Sequence, residues 1–222
     1  MTNTNNDYIN AYTRKREISV PSTALLIIDM QYATGSKQGA LARQLKQQGS
    51  NVGDYRFERI EKFVVPNTRK MIDLFHRLKR PVVYITIGAA QANAQDAPFH
   101  MKELFVRLGN YVGSKEHEII EELKPLESDY VLRKTTIGAF ASTGIDSLLR
   151  SLGCDQLYLT GVSTNMCVET TAREAADRGY SVTLVEDACG TTHEDLHHST
   201  MKNFKRLFGS VKSTDECLTE LS

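Results

Sequence analysis

The sequence predicts an α/β fold in which a mostly parallel sheet is covered by helices on both faces. Three observations predict it. Short continuous apolar runs, rich in β-branched residues, read as strands buried on both faces. Segments with helical apolar spacing separate these runs. No internal repeat, low-complexity tract or linker breaks the alternation. The 222 residues are therefore expected to form one domain, 1–222, with a polar N-terminal extension over 1–22.

The first run, Ala24–Ile28, is a strand by its unbroken apolar character. From Pro66 to about Arg80, Met71, Ile72, Phe75 and Leu78 fall at helical spacing. Pro81 then punctuates, and Val82–Ile87 is a β-branched strand. Ile119–Leu123 reads as a short helix and Tyr130–Leu132 as a short strand. Thr143 can cap a helix through Ile145, Leu148, Leu149 and Leu152, with Gly153 as its stop. Leu157–Thr160 is a strand, and Asn165 to about Arg178 a helix closed by Gly179. Ser181–Val185 is the next strand, His193 to about Leu207 a helix, and Gly209–Val211 a last edge strand. Two segments exceed a minimal domain, 34–59 and 88–115. Each follows a strand, so each is a candidate lid or interface segment.

Composition bounds the function. There are 27 basic and 27 acidic side chains, a formal net charge of zero. That argues against nucleic acid as the main partner, because such affinity leans on Lys and Arg against phosphate. No run approaches the roughly 18 apolar residues that span a bilayer, and no apolar signal core opens the chain. Cys154, Cys167, Cys189 and Cys217 are spaced by 13, 22 and 28 residues, which matches no usual zinc pattern. With 41% apolar residues the chain needs no staples, so free thiols in a reducing cytoplasm are expected.

The candidate reactive groups lie at strand ends, where an α/β sheet gathers ligands. Asp29 directly follows Ala24–Ile28, and a carboxylate there is costly unless paired or used; otherwise it would cap a helix or brace a loop. Lys134 follows Val131 and Leu132, a place where a lone lysine is ordinarily solvated. Cys167 follows Leu157–Thr160 through a Gly-, Ser- and Thr-containing turn and opens a helix. A thiol in a first helical turn meets unpaired N–H groups and the positive dipole end, although a lone cysteine there is more often filler. Together, an acid, an amine and a thiol behind three strands of one edge supply a nucleophile, its base and a cation.

Three blocks then carry a resemblance. Leu25–Gln31, Arg133–Phe140 and Gly161–Arg173 are similar to the isochorismatase-like cysteine hydrolase family, in the same order, over about Thr23 to Val211. The resemblance implies a three-layer Rossmann-like sandwich with a six-stranded sheet in the order 3-2-1-4-5-6. It implies a catalytic triad of Asp29, Lys134 and Cys167. It implies a cis peptide at Val162–Ser163, with the Ser163 and Cys167 amides as oxyanion hole. Members of this type cleave amide C–N bonds, whereas true isochorismatases lack the cysteine and hydrolyse a vinyl ether. A homo-oligomer, dimer or tetramer, is expected on resemblance alone.

Other chemistry finds less support. Nicotinamidase-like members carry an Asp-x-His metal site after the second strand; here Asp96 and His100 are four apart with no second histidine near, so no metal is expected. His193 and His197 have i,i+4 spacing that suits zinc, but no third ligand is evident and both read as surface histidines. There is no G-x-G-x-x-G after a strand, no P-loop and no G-x-S-x-G elbow. The expected activity is a cofactor-free cysteine amidohydrolase acting on a small amide, ureide or carbamoyl compound. The alternatives are a vinyl ether hydrolase or a non-catalytic binding module on the same fold. The substrate pocket is expected from Gln31, Tyr32, Phe99, His100 and Phe140, with Phe99–His100 resembling ureidoacrylate-type members. Segment 34–59 carries Lys37, Arg43, Lys46, Arg56 and Arg59 against Asp54 and Glu58, an excess that suits a carboxylate or a solvated face.

Overall fold

The computed structural model describes residues 8–13 and 16–222; the remainder of the expected N-terminal extension lies outside them. Six strands form one sheet: β1 (Thr23–Ile28), β2 (Val82–Ile87), β3 (Tyr130–Lys134), β4 (Gln156–Val162), β5 (Ser181–Gly190) and β6 (Ser210–Lys212). Their order is β3-β2-β1-β4-β5-β6, and every pairing is parallel. The helices are α1 (Tyr32–Gly35), α2 (Ala40–Gln47), α3 (Asp54–Arg59), α4 (Val65–Arg77), α5 (Phe99–Leu108), α6 (Ile145–Ser151), α7 (Glu169–Asp177), α8 (Glu194–Leu207) and α9 (Thr214–Leu221).

Successive side chains of a strand face opposite ways, so each strand feeds two cores. Leu26, Ile28, Val83, Ile85, Leu157, Leu159 and Leu184 pack with α5, α6, α7 and α8 through Phe105, Leu149, Ala172 and Phe204. Leu25, Ile27, Tyr84, Tyr158 and Val185 pack with α3, α4 and α9 through Phe57, Ile72, Phe75 and Leu221. Burial on both faces explains why β1, β2 and β4 read as unbroken apolar runs.

The strand order reverses between β1 and β4, and a crevice opens there at the carboxyl edge. Gly161 makes that crevice narrow. Its φ is +111°, and a Cβ would sit 2.1 Å from the Ile28 carbonyl oxygen. The two strand ends therefore approach more closely than any side chain allows.

Segment 34–59, the candidate lid or interface segment, holds the end of α1 and all of α2 and α3; Leu41 and Leu45, one turn apart, pack against the second core. Two expectations change. Ile119–Leu123 forms only a single 3₁₀ turn at Glu121–Leu123, because Ile119 instead bridges to Gln31 as an isolated antiparallel pair. The helix from Asn165 begins as a π turn, Thr164–Val168, before α7 takes over. A second π turn, Ile60–Val64, joins α3 to α4. The sequence pattern did not announce α9, whose capping box at Ser213 and Glu216 is complete.

Candidate active site

Asp29 is the first residue beyond β1. Its φ of +52° turns the chain sharply, and its carboxylate is buried. Lys134 is the last residue of β3, two strands away, and is fully buried. Its long side chain brings Nζ to 3.0 Å from Asp29 Oδ2. Two further donations, to Thr136 O at 3.1 Å and Ile137 O at 2.9 Å, fix the ammonium. Cys167 lies in the π turn after β4, 7% exposed, with its thiol close enough to Asp29 and Lys134 that both bear on its ionisation. The structure thus gathers the acid, the amine and the thiol from three strand ends. The Val162–Ser163 peptide between β4 and that turn is cis.

The electrostatics follow from burial. Loss of water pushes the Asp29 carboxyl above its ordinary range, against the opposing pull of Lys134. Burial, with the Asp29 charge added, pushes the Cys167 thiol up to about 12, while Lys134 works the other way. Burial also disfavours the Lys134 ammonium, but Asp29 and the Cys167 sulfur outweigh it and its net direction is upward. Apart from the Lys134 ion pair, neither Asp29 oxygen has a well-formed hydrogen bond. The arrangement holds a carboxylate with free lone pairs beside a protonated thiol, which suits proton transfer between them.

The predicted pocket residues are placed differently from one another. Gln31 is fully buried and braces the sheet edge: Oε1 accepts from Ile87 N at 2.7 Å, and Nε2 donates to Ile87 O at 3.1 Å and His117 O at 2.8 Å. A glutamine buried at a strand end must satisfy both ends of its amide, and here backbone groups do so. Tyr32 is half-buried beneath Lys115, whose Nζ lies 4.1 Å from the ring centroid. Phe140 spends its ring in the core, 5.8 Å from Tyr180 and 4.9 Å from the Arg178 guanidinium. Phe99 is 98% exposed at the start of α5, with His100 exposed beside it. Asp96 is not aimed at His100; it clasps its own loop, accepting from Ala90 N at 3.0 Å and from Arg133 Nη1 at 2.9 Å.

His193 is exposed, as a surface histidine should be, but His197 is fully buried. His197, Thr200, Met201 and Phe204 share the inward stripe of α8 at helical spacing, which was the signal for its burial. His197, His198 and Glu186 bring three potential ligand atoms within 4.8 Å of one another. Both nitrogens of His197 are already engaged, however. Arg59 Nη2 lies 2.9 Å from Nε2 and Thr164 Oγ1 lies 3.0 Å from Nδ1. Arginine can only donate, so Nε2 accepts and Nδ1 carries the proton. A cation already faces the nitrogen a metal would need, so the residues present do not fit a metal centre.

One further residue escaped the sequence reading except as part of a charge count. Arg56 projects from the buried face of α3, beside Phe57 and one turn from Ile60, and is 4% exposed. Its Nη1 donates to Ser163 Oγ at 2.7 Å and its Nε to Thr34 O at 2.9 Å. A charged residue in the apolar stripe of a helix was the available sign.

Comparison with known proteins bears on the fold and the family. The ureidoacrylate amidohydrolase of Acinetobacter baylyi is 30% identical over 89% of this chain and 83% of its own. Nicotinamidase 3 of Arabidopsis thaliana is 28% identical over 92% and 91%. A cysteine hydrolase structure from Pseudomonas syringae pv. phaseolicola superposes with a TM-score of 0.78 at 22% identity, covering 93% of this chain and 95% of that one. The N-carbamoylsarcosine amidase of Thermoplasma acidophilum gives 0.64 at 25% identity, over 87% and 97%. The sequence pattern of the isochorismatase domain matches residues 23–216, and with it the chain belongs to the isochorismatase family of hydrolases.

Proposed function

We propose that this protein is a cofactor-free cysteine amidohydrolase that cleaves the C–N bond of a small amide, ureide or carbamoyl compound through a thioester. One observation carries the reading: Asp29, Lys134 and Cys167 converge, buried, behind the turn that holds Ser163. The named activities of the relatives support it, since amidohydrolases, a nicotinamidase and an amidase all act on C–N bonds.

The steps follow from the geometry. Asp29 takes the Cys167 proton as the sulfur attacks the carbonyl carbon. Because the thiol is held protonated up to about 12, ionisation belongs to the attack itself rather than preceding it. The Ser163 and Cys167 backbone amides receive the developing oxyanion. The carbon–nitrogen bond breaks as Asp29 returns the proton to the leaving nitrogen. Water, losing a proton to the same carboxylate, attacks the thioester; the sulfur leaves and regains its proton. Lys134 faces the Asp29 carboxylate in the resting site and again in the thioester, and lies beside the sulfur while the charge passes to the carbonyl oxygen.

The test is ammonia release from a panel of ureidoacrylate, N-carbamoylsarcosine, biuret and nicotinamide. Cys167→Ala should lower kcat on the accepted substrate by about 10³-fold or more with the fold intact by circular dichroism. Retained turnover in that variant would sink the mechanism. Pyruvate release from isochorismate, with no ammonia from any amide, would replace it with vinyl ether hydrolysis.

A further inference from the structure

We infer that Arg56 is the residue that selects substrates, and that it selects a small amide or ureide bearing a carboxylate close to the scissile carbonyl. This rests on the amidohydrolase reading of the same site and adds the substrate's charge.

The argument is one of charge balance. Asp29 and Lys134 form a neutral pair, and Cys167 is held as an uncharged thiol. Arg56 is then a second cation, buried in the same place, and among the described residues it makes no ion pair. Its two hydrogen bonds use two of the five N–H groups of a guanidinium, and both acceptors are uncharged. Nη2 has no hydrogen-bond partner among the described residues. Asp29 and Cys167 lie within Coulombic reach without touching it. Burial lowers Arg56 only to about 10, so it is charged at neutral pH.

Buried charges are normally paired. Arg59, one turn further along α3, is only half-buried, and its Nε and Nη2 go to the Cys189 and Glu186 carbonyls and to His197. Arg56 keeps a planar, forked set of donors unspent beside Ser163 and Cys167. A carboxylate accepts two parallel N–H groups from such a fork. A ligand that brings one negative charge makes the site neutral, and a neutral amide does not.

The matched pair N-carbamoylglycine and its methyl ester tests this, because they share the scissile group and differ in charge. The wild type should prefer the acid in kcat/KM by at least about 30-fold, and Arg56→Gln should shrink that preference by about the same factor, mainly through KM. Arg56→Lys should retain part of it. Equal losses on acid and ester would overturn the inference and assign Arg56 to the thiolate or oxyanion instead; so would a wild type that prefers the ester. Should neither compound release ammonia, the amidohydrolase reading is what suffers, and a chemical probe still decides the role of Arg56. Iodoacetate should alkylate Cys167 faster than iodoacetamide in the wild type, each rate taken relative to glutathione, and Arg56→Gln should reverse the order by peptide mass spectrometry. An iodoacetate-to-iodoacetamide ratio at Cys167 no higher than that of glutathione overturns the inference without any variant having to fold.

Discussion

His197 shows how one buried side chain makes stability depend on pH. Burial, helped by the Arg59 charge, lowers its pKa from 6.5 to about 3. The folded protein therefore resists a proton that the unfolded chain accepts below pH 6.5. Stability is complete above that value and is lost as pH falls towards 3. Between pH 7 and pH 5 the loss from this residue is about 2 kcal/mol. His197→Gln, which keeps a polar group opposite Thr164 and Arg59, should remove that increment. Urea denaturation of both proteins at pH 7 and pH 5 measures it as the difference between their two changes. An equal change in both would show that His197 is not the titrating group. The same residue marks a limit of pattern reading. Its spacing from His193 suggested ligands, and its exposure was misjudged because the inward stripe of α8 contains two polar positions, His197 and Thr200. Lys134 was the opposite case: only its company with Asp29 and Cys167 made a buried lysine legible.

At the scale of elements, the sheet was readable because burial on both faces writes itself as apolar runs. The π turn before α7 was not readable, since no side-chain period distinguishes it from a helical start. The small helices of 34–59 were obscured by their polar outer faces, although Leu41, Leu45 and Phe57 pack inward. Gly161 carries the sharpest prediction here. Alanine at this position would need φ near +111° and would drive a methyl group into the Ile28 carbonyl. Gly161→Ala should part β1 from β4 at their carboxyl ends and destabilise the protein by several kcal/mol, roughly 2–4 °C of Tm for each. Thermal unfolding checks it. A Tm within a degree of wild type would mean that the strand ends have room to separate. Since Asp29 and Ser163 follow those two ends, activity should fall further than stability alone requires.

At the scale of the whole molecule, the fold explains why three distant residues could be recognised together and the pocket could not. A parallel sheet places every strand's last residue at one edge, so strand ends are fixed by topology. Pocket walls come from long connections, whose packing depends on each other: Gln31 reaches across to Ile87 and His117, and Arg56 to Ser163. Such contacts leave no period in the sequence. Sealing the reactive groups also decides how the enzyme answers to salt. In the proposed mechanism the Cys167 proton passes to Asp29 and the charge passes to the carbonyl oxygen within the same sealed site, so no charge moves out into solvent. Mobile ions, whose screening length shrinks from about 30 Å at 0.01 M to about 3 Å at 1 M, stay outside a cluster whose lysine has no exposed surface. The chemical step is thus deaf to ionic strength. kcat should stay within about twofold across that range of sodium chloride, while KM for an anionic substrate rises as its approach is screened. Steady-state kinetics at several salt concentrations separates the two, and a kcat that tracked salt would place the proton transfer in contact with bulk water.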